Sequence, residues 1–121
     1  MKVLVVDDNA LITDLLKEYM ELEGFETDAA QNGIEAVDKL KSGEFQTVIT
    51  DGYMPFMSGF ELCRFIKSHY PAIYTIGITD SLHLDQFREA GADDFFYKPV
   101  DFSILCSLVK NQKKQQHHAI A

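Results

Sequence analysis

The chain has 121 residues, 46% of them hydrophobic and 25% charged, with 11 basic side chains against 19 acidic ones and a net charge of −8. That length suits a single domain, and that hydrophobicity supplies a core, which excludes a disordered segment. The acidic excess argues against direct nucleic acid binding, where phosphate contacts dominate, and no apolar run approaches the roughly 20 residues of a membrane span.

The amino-terminal residues carry no secretory pattern. Cys63 and Cys106 stand too far apart for a metal knuckle or a redox pair. A cytoplasmic protein with reduced thiols is expected. The charge is uneven: residues 1–100 hold 8 basic and 18 acidic side chains, residues 101–121 hold 3 and 1. Lys110, Lys113 and Lys114 fit the end of a last helix, whose free carbonyls favour cations.

In chain order, Lys2–Val6 is an apolar run of the kind buried on both faces in parallel sheets. From Ala10 to Glu23 the spacing turns helical, with Ile12, Leu16, Tyr19 and Met20 on one side and Gly24 placed to end it. Glu26–Ala30 is a second strand. Asn32 and Glu35 form a capping box that opens a helix to Ser42. Gln46–Thr50 is a third strand, followed by a polar turn containing Pro55. Ser58 and Glu61 make another capping box, and Leu62, Cys63 and Ile66 stripe the helix behind it.

Tyr74–Ile78 is the fourth strand, Leu82–Ala90 a short helix ended by Gly91, and Asp94–Tyr97 the fifth strand. A last helix spans Phe102 to about Lys114. One domain over 1–114 and a disordered tail over 115–121 are expected. Alternating strands and helices imply an α/β parallel sheet covered on both faces, with right-handed crossovers. Ligands of such sheets bind outside the carboxyl ends of the strands.

Those ends hold Asp7 and Asp8, Asp51, Thr79 and Asp80, and Lys98 and Pro99. Neighbouring strands lie roughly 4.8 Å apart, so these side chains converge on one edge. Carboxylates about 5 Å apart repel by about 3 kcal/mol per pair at an effective dielectric near 20. An all-oxygen, water-sharing site of this kind suits Mg²⁺. Lys98 and Thr79 add a cation and a hydroxyl donor able to stabilise a phosphoryl group, and a carboxylate can accept one as an acyl phosphate. Taken singly, each residue has an ordinary explanation as a helix entry, a turn, a strand end or a solvated surface. Their gathering at four strand ends carries the inference.

Val5-Val6-Asp7-Asp8, then Asp51-Gly52-Tyr53-Met54-Pro55 with Gly59, then Thr79, then Lys98-Pro99, resembles the receiver domain of response regulators over Lys2 to Lys114. The resemblance implies a doubly wound (βα)₅ flavodoxin-like fold with strand order 2-1-3-4-5. It implies Asp51 as phosphoacceptor. Mg²⁺ would be held by Asp8, Asp51 and the Tyr53 main-chain carbonyl, and by Asp7 through water. Thr79 and Lys98 would contact the phosphoryl group, the Lys98–Pro99 bond would be cis, and Phe95 would be the aromatic switch. The implied donor is a phosphohistidine on a histidine kinase or histidine phosphotransfer protein. Output would pass through the fourth helix, fifth strand and fifth helix to a downstream protein or output domain, with a homodimer as one form.

The chain departs from that pattern in three places. Asp80 follows Thr79 where the family has a small residue, and an extra carboxylate there would slow anionic donors. Thr79 and Lys98 are only 19 positions apart, which shortens the fourth helix and bears on Phe95. Tyr53 and Ser81 occupy places that tune hydrolysis. The implied function is a signalling switch, not an enzyme acting on a diffusible metabolite. The alternatives are a receiver that signals without phosphate, a small aspartyl-phosphate phosphohydrolase, and a flavodoxin-like cofactor carrier. Asp7-Asp8-Asn9 lacks the hydrolase's Asp-x-Asp and would repel a flavin phosphate.

Overall fold

The computed structural model of the chain describes residues 1–80 and 84–120, with side chains to position 112. The elements are β1 (Lys2–Val6), α1 (Ala10–Leu22), β2 (Glu26–Ala30), α2 (Gly33–Leu40), β3 (Thr47–Asp51), α3 (Gly59–His69), β4 (Tyr74–Thr79), α4 (Leu84–Ala90), β5 (Asp94–Tyr97) and α5 (Phe102–Ile120). The five strands form one sheet in the order β2-β1-β3-β4-β5, every pair parallel. This is the expected doubly wound α/β fold.

Local chemistry sets the helix starts. The Asn9 carboxamide accepts from the Leu11 N–H, Asn32 from the Glu35 N–H at 2.8 Å, and the Ser58 hydroxyl from the Glu61 N–H at 3.1 Å. Each satisfies an amide that has no partner within its helix. Glu35 reaches back to the Gln31 N–H at 3.1 Å, which completes that cap. Gly24, at φ +96°, ends α1 in the left-handed region where a side chain would be strained.

The sheet carries apolar side chains on both faces, as its continuous runs require. On one face Val3, Val5, Ile49 and Ile76 meet Leu16 and Met20 of α1 and Leu105 and Val109 of α5. On the other, Leu4, Val6 and Val48 meet Ala36 and Leu40 of α2 and Leu62 and Ile66 of α3. A smaller cluster joins Phe60 and Cys63 of α3 to Phe87 and Ala90 of α4. Both cysteines are free and buried.

Several boundaries differ from expectation. β3 and β4 each run one residue further, to Asp51 and Thr79, because the ladder pairs Asp51 with Ile78 and Thr79 with Tyr97 after the apolar run has ended. α2 stops at Leu40, short of Ser42, and α5 continues past Lys114, where the sequence has neither glycine nor proline to stop it. The described part of α4 starts at Leu84; Leu82 lies outside the described residues. Among the described residues, no helix is long and apolar enough to cross a membrane.

Candidate functional site

The site rests on the carboxyl ends of β1, β3, β4 and β5. Asp7 leaves β1 with its N–H donating to the Ala30 carbonyl at 3.1 Å, and one of its carboxylate oxygens accepts from the Asn9 N–H at 2.9 Å. Asp51 closes β3. Both carboxylates are buried, whereas Asp8 is exposed. One oxygen from each of Asp7, Asp8 and Asp51 can lie within 4.8 Å of the others. Lys98 enters after β5, its N–H donating to the Thr79 carbonyl at 2.8 Å. Its Nζ stands 3.2 Å from Asp7 Oδ2 and 3.2 Å from Asp51 Oδ1. The Lys98–Pro99 peptide is cis.

The electrostatics follow from this crowding. Burial, and then the charge of Asp7, push the Asp51 carboxyl up to about 6 against the pull of Lys98. Burial also acts to lower the Lys98 ammonium, but Asp51 and Asp7 outweigh it and hold Lys98 above its ordinary value. Asp7 and Asp51 therefore share one ammonium, with Asp8 beside them as a third carboxylate. Their donor set is all oxygen and net negative, partly buried and partly open at Asp8, which fits a hard divalent cation such as Mg²⁺.

Thr79 is buried at the end of β4. A Cβ at Gly52 would lie 3.2 Å from its Oγ1 and 2.7 Å from the Phe60 ring, so Gly52 makes room for both. Gly59 is tighter still. Its N–H donates to the Gly52 carbonyl at 2.9 Å, and a Cβ there would collide with the Asp51 carbonyl oxygen. These two glycines let the loop after β3 fold back onto the strand that carries Asp51. Gly52 and Gly59 stood in the sequence motif, but it is packing that sets Gly52 against the Phe60 ring and against Thr79 on another strand.

The structure thus brings together Asp7, Asp8, Asp51 and Lys98, with Thr79 behind them. Tyr53 is half exposed and meets Phe60 edge to face at 5.3 Å. Asp80 is exposed at the rim. Phe95 lies apart, half-buried against Phe60 and Phe87, with the Arg88 guanidinium 5.4 Å from its ring centre. Ser81 lies outside the described residues. Beside Asp51 and Lys98 opens a cavity of about 360 Å³ whose walls include Ile12, Leu16, Pro99, Val100 and Phe102.

Residues 3–110 match the family model of the response regulator receiver domain. The chain belongs to that family. Among curated relatives, the transcriptional regulatory protein ResD of Bacillus subtilis (strain 168) is 39% identical over 81% of this chain and 42% of its own length. Among solved structures, a CheY-like receiver domain protein from Methanospirillum hungatei JF-1 superposes with a TM-score of 0.89 at 30% identity, over 98% of this chain and 97% of that one. The response regulator TrrA from Thermotoga maritima, solved in complex with Mg²⁺ and BeF, superposes at 0.82 with 38% identity, over 91% and 96%. The chain spans about half the length of the curated response regulators it matches.

Proposed function

We propose that this receiver domain takes a phosphoryl group onto Asp51 from a protein phosphohistidine and, once modified, alters a protein-binding surface. The observation that carries this reading is Lys98 Nζ held 3.2 Å from both Asp7 and Asp51 at the mouth of the carboxylate cluster. An Asp51 oxygen attacks phosphorus, the phosphorus–nitrogen bond breaks, and the imidazole leaves with its electron pair. Lys98 then turns from Asp51 to the new phosphoryl oxygens, and the Thr79 hydroxyl donates to another. Bound through Asp8, Asp51 and the Tyr53 carbonyl, with Asp7 through water, Mg²⁺ would neutralise charge on the transferring group.

The donor is a histidine kinase or histidine phosphotransfer protein. Exposed Leu11 and Leu15 on α1 offer it apolar surface near the site. Phe95, packed on α4, is the aromatic switch of this reading, and output leaves through α4, β5 and α5 to a partner protein or output domain. The chain modifies itself and converts no diffusible metabolite. Its place of action is the cytoplasm.

Incubation with Mg²⁺ and acetyl phosphate, followed by intact-mass measurement, tests the reading. One added phosphoryl group is expected, absent without Mg²⁺ and absent in Asp51→Asn. Labelling that persists in Asp51→Asn would remove Asp51 from its role. Failure of labelling with both acetyl phosphate and a phosphohistidine protein would favour a receiver that signals without phosphate.

A further inference from the structure

The cavity beside Asp51 and Lys98 takes no part in the phosphoryl chemistry proposed above. Its apolar walls come from four places: Ile12 and Leu16 of α1, Val5 and Ile49 of the sheet, Val100 after β5, and Phe102 of α5. Side chains of this kind ordinarily close the space between a helix and a sheet. Here about 360 Å³ is left. Phe102 is braced by Tyr19 of α1, edge to face with ring centres 5.8 Å apart, so that wall is held in place. A dry apolar cavity of roughly 150 Å³ takes one benzene ring. This one has room for a phenyl ring and a short alkyl arm. Its polar side chains include Asp7, Asp51, Lys98 and Thr13. The Thr13 hydroxyl donates to the Ala10 carbonyl at 3.0 Å and accepts from Gln31 Nε2 at 3.2 Å, so it presents no proton to a ligand.

We propose that this cavity binds a small primary amine with an apolar body, its ammonium against Asp7 and Asp51 and its body against Ile12, Leu16, Val100 and Phe102. Charge selects the head. Asp7 and Asp51 both line the cavity and both are buried, yet they share the single ammonium of Lys98, 3.2 Å from each. One negative charge is left over, with exposed Asp8 adding another outside. An ammonium cancels that charge, a hydroxyl leaves it standing, and a carboxylate adds to it. The walls select the body, because covering them removes apolar surface from water. The amine acts as a regulatory ligand of the same site: on Asp51 it occupies carboxylate oxygen that Mg²⁺ and the incoming phosphoryl group both need. That block on labelling rests on Asp51 being the phosphoacceptor; the binding does not.

Nuclear magnetic resonance titration of the full chain without metal, using phenethylamine, phenethyl alcohol and phenylacetate, separates head from body. Saturable binding of the amine is expected, with a Kd on the order of 1 mM or below for a ligand of this size. Its shifts should centre on Ile12, Leu16, Val100 and Phe102. The alcohol should bind about tenfold more weakly and phenylacetate not measurably. Val100→Phe fills the cavity and should abolish amine binding while the chain stays folded by circular dichroism; Ile12→Phe, from the opposite wall, decides the matter if Val100→Phe does not fold. In the labelling assay the amine should slow phosphorylation by acetyl phosphate, added Mg²⁺ should relieve the block, and Val100→Phe should escape it. No saturable binding of the amine, equal or tighter binding of phenylacetate, or binding that survives both filling variants overturns the proposal. Amine bound with labelling unslowed overturns the regulatory step. A chain that fails to label even without amine defeats the phosphoacceptor reading instead, and the metal-free titration still decides the cavity.

Discussion

The two halves of the sheet are built differently. Every residue of β3 and β4 is buried, as is β1 beyond Lys2, and Asp51, Thr79 and the adjoining Asp7 sit on that packed floor. At the other side β5 has four residues, none of them buried, and the described part of α4 has seven, against thirteen in α1. The packed half fixes the reacting groups, whose chemistry tolerates little displacement. The thin half has few buried groups to hold it, so a modest change in charge at the site can reposition it. Phe87 is its principal anchor, fully buried against Gly77 and Phe60.

Matched glycine substitutions break or confirm this contrast. In the packed half, Gly59→Ala drives a methyl into the Asp51 carbonyl, which belongs to a central strand and cannot retreat. A loss of about 4 kcal/mol or more, or failure to fold, is expected in urea denaturation. Where the packed half meets the thin one, Gly77→Ala on β4 places its Cβ 2.5 Å from Phe87 Cγ, but that ring can withdraw together with α4. An overpacking loss of about 2 kcal/mol follows. Equal losses at the two sites would mean that α4 is held as firmly as β3.

A smaller effect sharpens the electrostatic side of the comparison. The packed half carries Asp51 at a cost in stability when no metal is bound. Its carboxyl, held up to about 6 by burial and Asp7, ionises near 3.8 when the chain unfolds. Between those values the folded state keeps a proton that the unfolded state has lost. Asp51 therefore contributes stability fully below about pH 3.8, and that contribution is lost as pH rises through about 6. Metal-free Asp51→Asn should melt higher than the native chain at pH 7.5, by about 1 kcal/mol or roughly 4 °C after allowance for solvent screening. The gap should close near pH 4. A gap that does not vary with pH would show that Asp51 is not under this strain.

The sequence was most readable where composition and backbone agree. Lys2–Val6, Glu26–Ala30 and Asp94–Tyr97 occupy their expected positions; the first is a continuous apolar run, and Glu26–Ala30, poor in strand formers, sits between Gly24 and the cap residue Asn32, which bound it. The expected ends of β3 and β4 fell one residue short for the reason that makes them useful: the ladder continues into polar Asp51 and Thr79, where hydropathy reads a loop. The strand-end residues were legible because topology alone carries them to one edge. Packing across the chain was not. Nothing in the sequence pairs Gly52 with Phe60 and Thr79, or separates exposed Phe56 from buried Phe45, Phe60 and Phe87.

The smallest expected effects lie at the rim, where the packed half meets solvent. The Tyr53 ring leans on Phe60 and is still 47% exposed, so it can stand between a phosphorylated Asp51 and water without being locked there. Removing the ring in Tyr53→Ala should quicken loss of the phosphoryl group a few-fold, about 1 kcal/mol of barrier, read as decay of the added mass after the donor is withdrawn. Asp80 is exposed beyond Thr79; if its carboxylate repels anionic donors, Asp80→Ala should speed labelling by acetyl phosphate and leave the decay alone. The two variants therefore separate entry from exit. Equal decay in Tyr53→Ala would reduce its ring to surface cover, and a change in decay with Asp80→Ala would mean that its carboxylate reaches the acyl phosphate itself.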